Sequence, residues 1–413
     1  MHNYKPGFIN FCQVCGDKDL NQIIDLGPTP PCDSLLNKEK EVPLQKKFPL
    51  VFQFCKKCIN CQINYIVNPT ELFHKNYPYR SGITKTLVEK LQSTSTRVSE
   101  KFTFNENSLC IDVGSNDGTL LKGFKKRGFS VLGVEATDIA KIAIRDGINT
   151  IQGFFNSKIA SEIKMKYGKA KVVTATNVFA HISNIKSFLD GVFEILDDDG
   201  VFVSESHYLL DLVETLQYDS IYHEHMRYYS VHSIEKLLSY YGMYVVDVER
   251  IKNYGGSIRI FAQKQKRKSY IVNNFKKNEI KYGLNKLQTF KSFAKKVEKN
   301  KLEVSSLFKK LNKEGKKIVG IGCPGRASTF VNFCKLDVSL LPSIAEQSSS
   351  LKLGMFLPGT GTPIIDEKII LEEQPEYCVI LSWHYAQEII KIMRSKGLKS
   401  KIIIPLPEIK IIE

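Results

Sequence analysis

The chain has 413 residues, 43% apolar and 10% aromatic, enough to bury more than one core, so two or three domains are expected. No uninterrupted apolar run approaches the roughly 18 residues of a membrane helix, and the start Met1-His2-Asn3-Tyr4-Lys5-Pro6 has no signal-peptide core, which predicts a cytoplasmic protein without membrane contact. The formal charge of +16 is local, because residues 264–317 hold 18 basic residues against Glu279, Glu298, Glu303 and Glu314, and the remainder is nearly neutral.

Residues 1–75 show little helical periodicity and carry Cys12, Cys15, Cys55 and Cys58, two C-x2-C pairs about 40 residues apart. Four thiolates suit tetrahedral zinc, and in a reducing compartment disulfides are the poorer reading. With every position filled by protein, the site is expected to be structural. Cys61 is a substitute ligand candidate, and Cys32, Cys110, Cys323, Cys334 and Cys378 read as small core residues. Tyr77 and Tyr79, at the junction with the next region, offer rings that close over a substrate or pack the joint.

From about 76 to 263, strand and helix patterns alternate, which predicts an α/β doubly wound sheet with Ile258 to Ala262 as an added antiparallel strand. Its first strand enters Asp112-Val-Gly114-Ser-Asn-Asp117-Gly118, and its second ends in Glu135. A dinucleotide turn would space its glycines as G-x-G-x-x-G and aim a helix N-terminus at a diphosphate. Here Asp117 would repel a diphosphate but hold a methionyl ammonium, while Gly114 lets a ligand lie against bare backbone. Glu135, 21 residues after Gly114, is placed to accept ribose hydroxyls. The combination favours S-adenosylmethionine, against a βα turn that merely uses glycine. Asn177 and His181 follow a later strand at the edge where such a sheet presents its transfer site, although a capping or core histidine explains His181 as well.

Tyr218 to Ser230 is the densest polar cluster and includes Tyr222, His223, Glu224 and His225 in succession. Adjacent side chains diverge, and the run lacks the i, i+4 histidine pair of a zinc helix, so acid-base work is favoured over metal ligation. A hydrogen-bonded packing loop is the bland alternative. Residues 264–311 carry an apolar stripe from Leu284 to Leu311 and read as a connecting helix with a solvated lysine face. Residues 312–413 begin a second, Rossmann-like α/β unit at Gly320-Ile-Gly322-Cys-Pro-Gly325-Arg326, with Glu346 24 residues past Gly322. Arg326 is a candidate for bidentate phosphate pairing, Lys352 adds positive charge, and Leu357 to Thr362 reads as a loop with free backbone amides.

Together these motifs resemble the bacterial sugar C-methyltransferase family, whose members make 3-C-methyl branched deoxysugars from nucleotide-diphosphate 4-keto sugars. The likeness spans nearly the whole chain and includes the four cysteines, Tyr77-Pro-Tyr79, Asp112 to Gly118, Gly133-Val-Glu135, Gly153-Phe154-Phe155, Tyr222-His-Glu-His225 and Leu357-Pro-Gly359. The resemblance implies a zinc module, a class I methyltransferase core (76–263) and a C-terminal domain that helps hold the sugar nucleotide. It implies His225 as the base at carbon 3, with Glu224 and Tyr222 beside it, and His181 with Tyr77 or Tyr79 on the sugar. Asp112, Gly114, Asp117, Gly118, Glu135, Phe154, Phe155 and Asn177 would bind the cofactor. The turn Gly322-Cys-Pro-Gly-Arg326 departs from the family's Gly-x-Gly-Ala with a lysine, which leaves the nucleotide, the sugar and carbon 3 against carbon 5 open. A sugar O-methyltransferase is the alternative. A nucleic-acid methyltransferase fits less well, since Asn177-Val-Phe-Ala stands where an amine methylase carries prolines. The expected partner is a small-molecule sugar nucleotide, bound by a monomer or weak homo-oligomer without nucleic acid.

Overall fold

The computed structural model describes residues 5–73, 80–82 and 85–413. Its central sheet has seven strands in the order Tyr244–Ile251, Ser257–Gln263, Leu196–His207, Ala170–Thr176, Leu109–Val113, Ser130–Glu135 and Thr150–Gln152. Ser257–Gln263 runs antiparallel to both neighbours, and the other pairings are parallel. The interior strand Leu109–Val113, Leu-Cys-Ile-Asp-Val, is apolar almost throughout and buried after its first residue, as a strand covered on both faces requires. The order reverses between Leu109–Val113 and Ala170–Thr176, so a ligand crevice belongs beyond the carboxyl ends of those strands. This is the α/β class and the added antiparallel strand expected from the sequence.

The C-terminal sheet repeats the winding: Ile364–Asp366, Ile344–Glu346, Ile318–Ile321, Tyr377–Ile380 and Lys401–Ile404 are parallel, with Lys410–Ile412 antiparallel at the edge. The two halves also share the construction of their first turn. Gly114 and Gly322 take φ of +71° and +80°. They donate N–H to Val134 at 2.8 Å and Ala345 at 2.9 Å, each the residue before the acid that ends the second strand. That acid accepts a turn amide in both halves, Asn116 N–H to Glu135 and Cys323 N–H to Glu346.

Near the N-terminus, Leu20–Asp25, Val51–Cys55 and Asn60–Ile63 form an antiparallel sheet whose fourth strand, Arg227–Tyr228, comes from beyond residues 1–75. Arg227 pairs with Gln62 and Tyr228 with Cys61, so the polar run at 218–230 is stitched directly to this module.

The basic segment forms two helices where one connecting helix was expected. Gly283, at φ +94°, caps Tyr270–Tyr282 before Leu287–Lys313 begins. The second helix has 27 residues and so spans about 40 Å. It buries Phe290, Phe293, Val297, Val304, Phe308 and Leu311. Phe290 stacks on Phe54 with ring centroids 4.1 Å apart, which ties the helix to the N-terminal sheet, and the helix also meets Ile318–Ile321 of the C-terminal sheet. Among the described residues no helix is long and apolar enough to cross a membrane.

Candidate active site

A cavity of about 630 Å³ opens at the strand-order reversal and reaches the N-terminus of helix Gly325–Phe333. One end is lined by Asp112, Gly114, Glu135, Phe154, Phe155 and Asn177. Glu135 sits at the end of its strand, where one oxygen accepts from the Thr137 amide and hydroxyl and the other from the Asn116 amide at 3.0 Å. The second oxygen keeps a lone pair for a hydroxyl. Asp112 is fully buried beside the Thr174 hydroxyl at 2.6 Å, and burial pushes its carboxyl up to about 7. Asn177 holds a left-handed φ of +55°, and its buried Oδ1 has no hydrogen-bond partner among the described residues; nor does the Ser115 hydroxyl, also on the cavity. Unpaired buried polar atoms beside a carboxylate that still accepts fit a ligand carrying hydroxyl and amine donors, as S-adenosylmethionine does. Phe154 is exposed at the rim, whereas Phe155 packs edge-on against Phe188.

Two of the expected cofactor residues do not line this end. Asp117 accepts from Arg80 Nε at 2.9 Å, the Gly82 amide at 2.8 Å and both the amide and hydroxyl of Thr119. Its carboxylate therefore ties Arg80 and Gly82 to the turn. Gly118, at φ +74°, packs against Ile148 at the start of helix Thr119–Lys125. At Gly114 the reason for glycine also differs from a bare backbone facing ligand: an added Cβ would lie 2.4 Å from Val178 Cγ2.

At the other end, His181, Tyr222, Glu224 and His225 meet around the cavity. His225 Nδ1 lies 2.8 Å from the Ser220 carbonyl, which can only accept, so Nδ1 carries the proton and Nε2 keeps a lone pair. Burial, with His207 and His181 nearby, holds its pKa well below the ordinary value, so the ring is neutral. Tyr222 lies against it with ring centroids 3.9 Å apart, and His181 lies 4.8 Å away on its short 3-10 turn Phe179–His181. Burial pushes His181 down to about 4 and the Tyr222 phenol well up. Glu224 is buried and accepts from Cys32 Sγ at 3.5 Å, a thiol kept protonated by burial and by Glu224 itself. His223 turns away, its Nε2 at 3.2 Å from the carbonyls of Phe48 and Pro49, and belongs to packing.

The C-terminal half closes this end. Gly325 packs closely on this end, where an added Cβ would lie 3.1 Å from Cys32 Sγ and the thiol would have to give by a few tenths of an ångström. Arg326 lines the cavity but does not present the bidentate phosphate fork expected of it. Its Nη atoms face the Tyr254 carbonyl at 2.9 Å, His207 at 3.3 Å, His384 at 3.4 Å and the Asp219 carboxylate at 3.6 Å. Lys352 contacts Asp33 at 3.1 Å and the Cys323 carbonyl at 2.9 Å, and Asp33 holds its ammonium in the charged form, leaving a third N–H. Nor are the amides of 357–362 free as expected: Gly359 donates to Gln45 and Gly361 to the Leu357 carbonyl. Tyr77 and Tyr79 lie outside the described residues.

His207, His384, Asp219 and Cys32 are functional candidates that the sequence does not single out. Asp219 lies within the polar run Tyr218 to Ser230 without standing out in it, Cys32 and His384 stand alone in their local stretches, and His207 had a signal as a polar residue at the carboxyl end of the strand Leu196–His207. Four of the chain's eight histidines, His181, His207, His225 and His384, line this cavity.

Cys12, Cys15, Cys55 and Cys58 bring four sulfurs within 4.8 Å of one another, with Cys12 to Cys58 at 3.4 Å and Cys15 to Cys55 at 3.6 Å. A tetrahedron with zinc–sulfur bonds of about 2.3 Å has edges of about 3.8 Å, so the donor set fits structural zinc. Cys61 is buried in its strand outside this group. Beside the knuckle, Gln13 Oε1 accepts from Arg227 Nη1 at 2.5 Å, and the Gln13 backbone N–H donates to Gln62 Oε1 at 2.7 Å. The module thus holds the strand that follows His225, and it lends Asp33, Asn68, Pro69, Thr70 and Phe73 to the cavity wall while its four clustered cysteines stay outside the lining.

Three families match in succession: a zinc binding domain over residues 12–73, a methyltransferase domain over 83–248 and a C-methyltransferase C-terminal domain over 252–407. The C-methyltransferase NovU of Streptomyces niveus is 30% identical over 98% of this chain and 97% of its own. Among solved structures, the CcbJ methyltransferase of Streptomyces caelestis aligns at 11% identity over 42% of this chain and 89% of that one, with a TM-score of 0.33. The magnesium protoporphyrin IX methyltransferase of Synechocystis PCC 6803 aligns at 12% identity over 42% and 78%, with a TM-score of 0.32.

Proposed function

Because this chain belongs to the S-adenosylmethionine-dependent C-methyltransferase family, we propose that it methylates carbon 3 of a nucleotide-diphosphate-linked 4-keto sugar. The observation that carries the reading is His225. A neutral imidazole, held by Ser220 in the tautomer that offers Nε2, is the base needed to remove a proton from carbon next to a ketone. The C–H bond at carbon 3 breaks, the proton goes to Nε2, and the electron pair moves toward the carbon 4 oxygen to give an enediolate. S-adenosylmethionine supplies the electrophilic methyl group that such a carbon takes up.

Asp112, Glu135, Phe154, Phe155 and Asn177 are the residues proposed to hold the donor, with Gly114 and Gly118 shaping the turn. Tyr222 packs on the base and fixes its plane, Glu224 adds an acceptor for a sugar hydroxyl, and His181 faces the same space. The first amides of helix Gly325–Phe333 and the remaining N–H of Lys352 favour the diphosphate on the C-terminal side.

The test uses a 4-keto deoxysugar nucleotide in heavy water, first without methyl donor and then with it. The expected result is deuterium entering at the carbon beside the ketone, followed by one methyl group on that carbon, with exchange in H225N slower by about 10²–10⁴. Unchanged isotope content together with a methyl ether product would mean O-methylation and defeat the reading.

A further inference from the structure

Removing a proton beside a ketone places negative charge on the ketone oxygen, and a base alone does nothing to hold it. Such reactions gain most from a donor already aimed at the developing oxyanion; loss of one donor costs about 10²–10³ in rate. Two cavity-lining imidazoles, His207 and His384, each turn one ring nitrogen to Arg326, which leaves the other nitrogen of each as a donor, and His207 is the one whose ring lies against His225. His207 ends the strand Leu196–His207, lines the cavity, and places its ring centroid 4.6 Å from that of His225. Arg326 Nη2 lies 3.3 Å from His207 Nε2, and a guanidinium can only donate, so Nε2 must accept. In a neutral ring the proton then sits on Nδ1, and Nδ1 makes no hydrogen bond to a described residue. Burial and the Arg326 charge push His207 down to about 3, which keeps the ring neutral.

Arg326 is itself held in place for this task. Asp219, buried and fixed by the Trp383 indole N–H at 2.7 Å, balances its charge, and the Tyr254 carbonyl anchors Nη2 at 2.9 Å. The two rings therefore have opposite polarity: His225 offers a lone pair and His207 offers an N–H.

We propose that His207 is a second catalytic residue, whose Nδ1–H donates to the ketone oxygen while His225 takes the proton from the neighbouring carbon. No proton passes from His207; the carbon–hydrogen electron pair becomes the new carbon–carbon double bond, and the carbonyl pair rests on the oxygen that His207 holds. Arg326 is a positioning residue that acts through the His207 tautomer.

This rests on the enolising reaction proposed above, and deuterium exchange without methyl donor separates the two ideas. H207L is expected to exchange about 10²–10³ slower with the KM for sugar nucleotide within about threefold of wild type, whereas H207N, whose amide returns an N–H near Nδ1, recovers at least tenfold. Nitrogen-15 shifts of His207 in the unaltered protein are expected to report the Nδ1–H tautomer at pH 7, a readout that does not depend on any variant folding. An Nε2–H tautomer, an H207L that exchanges like wild type while H225N does not, or an H207N no faster than H207L each overturns the proposal. A wild-type enzyme that exchanges nothing overturns the enolising reading and this role with it.

Discussion

His225 presents a lone pair to the cavity only because its other nitrogen meets the Ser220 carbonyl. Protonation would silence it, and its pKa lies well below 6.5, so exchange measured without methyl donor is expected to stay flat as the pH falls through 6.5 and to drop only in more acid solution. An acid limb centred near 6.5 would mean a solvated base elsewhere. Asp112, at about 7, titrates inside that window but stands at the other end of the cavity, so its ionisation belongs to donor affinity and not to exchange. Gly114 shows what one Cβ does there. An alanine would hold φ at +71° at a cost of about 1–2 kcal/mol and also meet Val178 at 2.4 Å, so G114A is expected to bind S-adenosylmethionine at least about tenfold more weakly by titration calorimetry. Affinity equal to wild type would show that the turn adapts. The residue types at 112, 114 and 135 were readable because a ligand turn repeats a spacing. The contacts of Asp117 with Arg80, Gly82 and Thr119 are ones that no spacing announces.

Strands and helices were legible wherever their periods were clean. The stripe from Phe290 to Leu311 identifies a helix, and the structure buries it. The break at Gly283 was missed because a single glycine within a long lysine-rich pattern reads as tolerable, and the left-handed cap becomes visible only in the backbone. The two-residue strand Arg227–Tyr228 lies below any periodic signal, and pairing with Gln62 and Cys61 alone creates it. Phe290 is fully buried where it stacks on Phe54 of the zinc module, so F290A is expected to cost about 3–5 kcal/mol in urea unfolding. A loss below about 1 kcal/mol would show that the helix docks by its other residues.

Across the whole molecule, the zinc module acts on the chemistry at one remove. Its strand Asn60–Ile63 pairs with Arg227–Tyr228, and Gln13 of the first knuckle holds Arg227, two residues past the base. Removing zinc with a chelator is expected to lower the melting temperature and stop deuterium exchange, with both restored by added zinc, although the metal takes no part in proton transfer. A chelated protein that exchanges at the full rate would show that strand pairing suffices. By itself the sequence determined the four thiolates, the glycine turn with its spaced acid, the α/β class and the H-E-H run, because each depends on residue identity at short range. Only the tertiary structure decided that Arg326 orients histidines, that His207 and His384 join the site, and that His225 hangs from the zinc sheet. Those facts rest on contacts between residues more than 50 positions apart, such as Arg326 with His207 and Arg227 with Gln13, and no local pattern encodes which distant partner a buried charge will find.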